Sequence, residues 1–250
     1  MDFSAYEFSS LQEGQFTLHR GVSDVLEPIL LVACSDEYPS RGSLQRIEHE
    51  HALKADLDAE WAARPVELVH RRGRLTLILE DPGGRPLEQM LGRPMDVTQF
   101  LRISVPLAAV IGRMHARGLI HRDLKPANIL ADTAGGVRLT GFGIASRLPR
   151  ERQGPGPPEG IAGTLAYMAP EQTGRMNRSV DSRSDLYSCG VTLYEMLTGA
   201  LPFSAADPME WIHCHIARQP MPPGERLNGI PASLSAIVMK LLSKSTEDRY

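Results

Sequence analysis

Apolar and polar positions alternate in two different ways along this chain, and the change falls near residue 80. Before it, apolar residues come in short bursts, Phe16–Arg20, Ile29–Ala33, Leu68–His70 and Leu75–Leu79, separated by turn-forming residues. Bursts of this length and composition predict strands, the last two forming a hairpin around a glycine-containing turn. Between them, Ser43–Leu57 interleaves charges with Leu44, Ile47, Ala52, Leu53 and Leu57, a spacing that predicts a helix. Glu80-Asp81-Pro82-Gly83-Gly84 then breaks the pattern. Beyond the break the spacing is helical: a short helix over Leu87–Leu91, a long one over Val97–Arg117, and further helices over Pro208–Ala217 and Leu234–Leu242. Ser182–Leu197 is apolar round most of its circumference, so that helix is expected to be buried. The fold class expected is α+β, a small strand-rich part followed by a larger helical one.

Composition narrows this little. The chain has 250 residues, 42% hydrophobic and 23% charged, enough for a packed core and a hydrated surface. A net charge of −3 gives no electrostatic reason to expect nucleic acid or an anionic membrane as partner. The longest apolar run, Pro28–Cys34, is far too short to span a bilayer. Met1-Asp2-Phe3-Ser4 does not open a basic-then-apolar leader, so no secretory signal is expected. Cys34, Cys189 and Cys214 have no CxxC spacing and suggest free thiols in a reducing cytoplasm.

The chemistry is concentrated in His121-Arg122-Asp123-Leu124-Lys125-Pro126-Ala127-Asn128-Ile129-Leu130, which reads as a loop between the long helix and a pair of short strands, with a short apolar run at Val137–Thr140. An Asp, a Lys two residues on and an Asn three further can meet around one phosphoryl group. The Asp accepts a hydroxyl proton, the Lys neutralises charge and the Asn oxygen helps to hold a metal. This segment resembles the catalytic loop of protein kinases in its serine/threonine form. Ala169-Pro170-Glu171, preceded by Gly163-Thr164-Leu165-Ala166-Tyr167-Met168, resembles the end of the kinase activation segment, and Asp185–Gly190 the start of the buried central helix.

The resemblance implies a bilobal kinase-like fold: an N-lobe over 1–79, a hinge at 80–84 and a C-lobe over 85–250 lacking the family's last helix. It implies Asp123, Lys125, Asn128 and Thr164 as catalytic residues, Asn128 also as a metal ligand, and Ala33, Leu79, Glu80, Asp81, Asn128 and Leu130 around ATP. Structural roles fall to Glu50, His121, Arg122, Phe142, Glu171, Asp185 and Arg249, with Asp185 receiving backbone N–H groups of the loop and Arg249 pairing with Glu171. Glu171–Arg178 and Leu79–Gly84 are similar to N-terminal kinase-like domains of large bacterial sensor proteins. The implied partners are therefore ATP, a protein substrate and C-terminal signalling domains of a longer chain.

Several positions depart from the family pattern. Leu11–Phe16 has a single glycine, Gly14, where a glycine-rich loop would bring N–H groups onto phosphates, and an ordinary turn is the plainer reading. Val32-Ala33-Cys34-Ser35 puts Ser35 where the strand lysine belongs, and of four lysines Lys54 alone precedes the catalytic loop. Lys54 follows Glu50 by four residues and reads as a solvated helix residue, which leaves Arg20 as a substitute cation. Gly141-Phe142-Gly143 stands where the family has Asp-Phe-Gly, so Phe142 can still pack while the Mg²⁺ carboxylate is gone. Pro82 removes one N–H from the hinge.

Regulation differs as well. Between Phe142 and Gly163 the one hydroxyl residue is Ser146, too early to be the phosphorylated partner of Arg122; Glu151 or Glu159 could substitute as fixed anions, but a solvated loop charge is the plainer reading of each. Arg147–Arg152 and the Gly- and Pro-rich stretch after it read as a surface loop able to dock a partner. His213-Cys214-His215 alternates on a helix and so faces different ways, which argues against a metal site. No lysine follows a glycine, which excludes a P-loop. Two functions stay open: an ATP- and Mg²⁺-dependent protein serine/threonine kinase with a relaxed site, and a pseudokinase that regulates attached domains.

Overall fold

The computed structural model describes residues 3–147, 165–176 and 178–250. They form two compact units. One comprises the described residues of 1–87 and 127–145, the other those of 88–126 and 146–250.

The first unit is built on an antiparallel sheet of β1 (Glu7–Gln12), β2 (Phe16–Val22), β3 (Ile29–Cys34), β4 (Pro65–Arg71) and β5 (Arg74–Glu80), in the order β1-β2-β3-β5-β4. The β4–β5 turn is Arg72-Gly73, both with positive φ (51° and 76°), the backbone that a two-residue hairpin requires. β3 and β5 are central, and Leu30, Leu77, Ile78 and Leu79 are wholly buried. Each such side chain contributes roughly 1.5–3 kcal/mol through lost water contact.

One sheet face packs Leu18, Leu30, Leu77 and Leu79 with Ile47 of α1 (Arg41–Ala52) and with Leu130. The other packs Ile29, Leu31 and Ile78 beneath Tyr6, Phe3 and Phe8. α1 starts at Arg41, where the Ser40 hydroxyl accepts the Ser43 N–H, and gives way at Leu53 to a 3-10 turn over Leu53–Ala55. Lys54 therefore lies on that turn, exposed, donating to the Val66 carbonyl at 2.7 Å. A second small sheet in this unit orders β6 (Arg85–Pro86), β8 (Ile129–Ala131) and β9 (Val137–Leu139) as β6-β8-β9. The expected helix over Leu87–Leu91 is a 3-10 turn, Leu87–Met90.

The second unit is helical. α2 (Val97–Ala116) is capped by the Asp96 carboxylate, which accepts the Gln99 N–H at 2.9 Å. Its buried stripe runs through Phe100, Ile103, Leu107, Val110, Ile111 and Met114, the 3–4 spacing of a one-faced helix. α3 (Ser182–Thr198) is buried on nearly all sides and stops at Gly199, whose φ of 74° is the usual helix-ending conformation. α4 (Pro208–Ile216), α5 (Pro223–Arg226) and α6 (Ala232–Leu241) follow, and a two-stranded ladder joins β7 (Leu119–Ile120) to β10 (Ser146–Arg147). Among the described residues no helix is long and apolar enough to cross a membrane.

Candidate active site

The residues singled out from sequence are divided between the units. His121, Arg122, Asp123, Lys125, Glu171, Asp185 and Arg249 belong to the second; Ala33, Glu50, Leu79, Glu80, Asp81, Asn128, Leu130 and Phe142 to the first. Thr164 lies outside the described residues, as do Gly163, Glu151, Glu159 and the Gly154–Gly160 stretch.

In the second unit the chemistry is organised by Asp185, in the first turn of α3 and fully buried. Its Oδ1 accepts the Arg122 N–H at 2.9 Å, and its Oδ2 accepts the His121 N–H and the His115 Nε2–H, both at 2.9 Å. A carboxylate this deep is tolerable because donors surround it. The same contacts hold Arg122 at φ 67°, a left-handed conformation that costs a non-glycine residue about 1–2 kcal/mol. Gln172 Nε2 also grips the Arg122 carbonyl at 2.7 Å. The resulting turn presents Asp123, whose Oδ2 lies 2.9 Å from Lys125 Nζ, and whose N–H donates to His121 Nδ1 at 3.3 Å. A proton acceptor and a cation are thus side by side on a braced backbone.

Glu171 and Arg249 form a buried pair, Oε1–Nη1 2.7 Å and Oε2–Nη2 3.0 Å, with side chains 1% and 0% exposed. Ser184 donates a further bond to Oε1 at 2.7 Å. This two-pronged geometry fixes the segment that follows Ala169 to the end of the chain.

In the first unit, Ala33 sits between Thr17 and Thr76 on the neighbouring strands, and Leu79 opposite Leu30. Leu79 and Leu130 are buried in the apolar cluster described above. Glu80 continues β5, its N–H donating to the Arg64 carbonyl at 2.8 Å. Asp81 takes the Arg20 guanidinium on both oxygens, at 2.5 and 2.9 Å, and accepts the Gly83 N–H at 2.9 Å. Arg20 also donates to the Gly84 carbonyl at 2.8 Å. Its guanidinium is therefore committed to the 81–84 segment, which removes the basis for reading Arg20 as a substitute phosphate-binding cation.

Ser35 is committed too. Its hydroxyl donates to the Gly14 carbonyl and its N–H to the Gln15 carbonyl at 3.1 Å, tying the β1–β2 turn to the end of β3.

Glu50, 4% exposed on α1, accepts the Gly141 N–H at 3.1 Å. Burial raises its carboxyl to about 7, against the lowering effect of the Phe142 and Gly141 N–H groups. Gly141 has φ 80°, and a Cβ there would lie 2.6 Å from both Cγ and Oδ1 of Asn128. The Asn128 amide thus fills the volume that a side chain at 141 would need. Phe142 is fully buried and meets Trp61 edge-on at 6.0 Å.

These observations decide how the residues fit the cofactors implied by the resemblance. Mg²⁺ favours carboxylate oxygens. Residues 128 and 141 offer one neutral amide, and among the described residues no group of three His, Cys, Asp or Glu side chains could hold a metal. The donors at 128 and 141 do not fit Mg²⁺ in the usual kinase manner.

The sequence model of the protein kinase domain matches residues 34–250. The chain belongs to the protein kinase family. Its five-stranded antiparallel sheet and helical content are those of the bilobal kinase fold. This kinase domain is similar to the serine/threonine-protein kinase PknB of Mycobacterium tuberculosis, at 37% identity over 157 residues, 63% of this chain and 25% of that protein. PknB of Mycobacterium leprae is 39% identical over 195 residues, 77% and 30% of the two chains. The serine/threonine-protein kinase PksC of Streptomyces coelicolor is 33% identical over 180 residues, 70% and 32%. The kinase domain spans a quarter to a third of the length of these relatives.

Sequence patterning does not show the Arg20–Asp81 pair, the use of Ser35 as a turn brace, or the separate place of His215. On α4 His215 is buried while His213 is exposed.

Proposed function

We propose that this is a kinase domain of serine/threonine type whose phosphoryl-transfer half is retained and whose nucleotide and metal half is degenerate. It serves bacterial cytoplasmic signalling chiefly as a regulatory module for the domains of a longer chain. The observation that carries this reading is the Glu50–Gly141–Asn128 cluster: the place of the Mg²⁺ carboxylate is closed by an amide, and the helix glutamate bonds backbone N–H groups instead of a lysine. Each missing charge removes about 3 kcal/mol at roughly 5 Å and intermediate dielectric. Two such losses slow transfer by about 10⁴-fold.

A second reading, a slow but genuine kinase, is favoured by Asp123 and Lys125, which stand 2.9 Å apart on a loop braced by Asp185. Asp123 would accept the proton of a serine or threonine hydroxyl.

One experiment separates the two. Melting temperature is measured with millimolar ATP, with and without Mg²⁺, alongside radiolabelled phosphate transfer to a generic protein substrate. The regulatory reading expects no Mg²⁺-dependent rise, since a ligand that does not bind the native state cannot stabilise it. A Mg²⁺-dependent rise, with transfer abolished by Asp123→Asn, establishes the kinase instead.

A further inference from the structure

His215 has both ring nitrogens engaged. Nε2 lies 2.8 Å from the Leu165 carbonyl and Nδ1 2.9 Å from the Tyr187 hydroxyl. A carbonyl can only accept, so Nε2 carries the hydrogen, Nδ1 is the acceptor and Tyr187 donates to it. The ring is wholly buried, parallel to Trp211 (5.9 Å, 19°) and edge-on to Phe203 (5.6 Å, 89°) and Tyr187 (5.6 Å, 73°). Burial lowers it to about 4, with the Lys244 charge adding to the effect, so the ring is neutral through the physiological range. Lys244 backs this arrangement, its Nζ donating to the Cys214 carbonyl at 3.1 Å and lying 4.6 Å from the Phe203 ring centre.

Phenylalanine would pack as well in an aromatic nest and would need no partners. The partners point to a use. Leu165 directly follows Thr164, and Leu165–Tyr167 is a 3-10 turn also gripped by α3, where Ser188 donates to the Tyr167 carbonyl at 2.8 Å and Glu195 accepts the Tyr167 hydroxyl at 2.6 Å. α3 fixes the end of the turn, and α4, through His215, fixes its beginning.

We propose that His215 is a positioning residue that sets residues 165–168 as a platform for a serine- or threonine-containing peptide. This rests on the serine/threonine-type reading above and adds α4 as the element that determines where the peptide lies. His215 touches no reacting atom; it acts through the Leu165 carbonyl.

The test compares the unaltered chain with His215→Gln, whose amide nitrogen reaches the place of Nε2, and His215→Asn, which is too short to do so. Hydrogen exchange at 166–168, referred to that of α2, is measured beside affinity for an arrayed library of serine- and threonine-containing peptides. Losing one structural hydrogen bond predicts roughly tenfold faster exchange and roughly tenfold weaker binding of the tightest peptide in the Asn variant, with Gln restoring most of both. Asn and Gln variants that behave alike, while the unaltered chain binds peptide, overturn the positioning role alone. Exchange that separates Gln from Asn while the unaltered chain binds no peptide at millimolar concentration overturns the peptide reading and the positioning role with it.

Discussion

Glu50 Oε1 accepts the backbone N–H of Gly141 at 3.1 Å, so a buried carboxyl on α1 holds the residue that stands in place of the family's metal-binding aspartate. Burial lifts this carboxyl from an ordinary 4.5 to about 7. Between those values the unfolded chain has released the proton and the folded chain keeps it. The associated stability is complete below the ordinary value and is lost as pH rises through about 7, a change of about 3 kcal/mol. Glu50→Gln keeps an acceptor for Gly141 and abolishes the titration. Urea unfolding from pH 5 to 8 should show the unaltered chain weakening while the variant stays flatter. Parallel curves would contradict the assignment.

Gly141→Asp should not restore a metal site. The backbone there is left-handed and the new Cβ would collide with the Asn128 amide. The substitution is expected to cost roughly 1–3 kcal/mol as strain and overpacking. Adding Asn128→Ser removes the collision but not the backbone strain, so part of the loss should return. Differential scanning fluorimetry with and without MgCl₂ reads both effects. A Mg²⁺-dependent stabilisation of the single variant would show that the cluster opens easily.

Arg20 and Asp81 should be coupled. The Asp81 side chain is 3% exposed and Arg20 21%, a pair sheltered enough that removing either partner leaves a poorly solvated charge. Asp81→Ala is expected to lose about 2 kcal/mol, the scale of a hydrogen bond to a charged group. A double-mutant cycle with Arg20→Ala should recover an interaction of about 1–2 kcal/mol. Any ATP-induced shift in melting temperature should be the same in Arg20→Ala as in the unaltered chain, since the guanidinium is committed to Asp81.

Arg249→Ala should be among the most damaging single changes in the second unit. It strands Glu171, 1% exposed, without its partner, for which about 3–5 kcal/mol is the usual cost. Replacing both residues by methionine should cost less than the single change, because no charge is left behind. Chemical denaturation of the three proteins decides this.

Legibility followed distance along the chain. The strands at 16–22, 29–34, 65–71 and 74–80 and the five longer helices were readable because their apolar spacing is local. β1 was not, since Glu7–Gln12 is polar and largely at the surface and owes its pairing to β2. β6, β7 and β10 have two residues each, too few to display a period, whereas the two short strands expected after the catalytic loop are β8 and β9. The start of α1 was misplaced because its cap is Ser40, while the helix itself begins with Arg41-Gly42, a weak opening by propensity. At the site, the Asp123–Lys125 chemistry was legible from adjacent residues. The closing of position 141 by Asn128, the 61-residue reach from Arg20 to Asp81, and the link from His215 to Leu165 are products of folding that no local pattern encodes.

The bond from Ser35 to the Gly14 carbonyl bears on chemical tools. Reagents that label kinases by acylating a strand amine would meet here a hydroxyl whose hydrogen already points at a turn. Such reagents should pass this domain over, and a Ser35→Lys protein would have to give up that brace before it could be labelled.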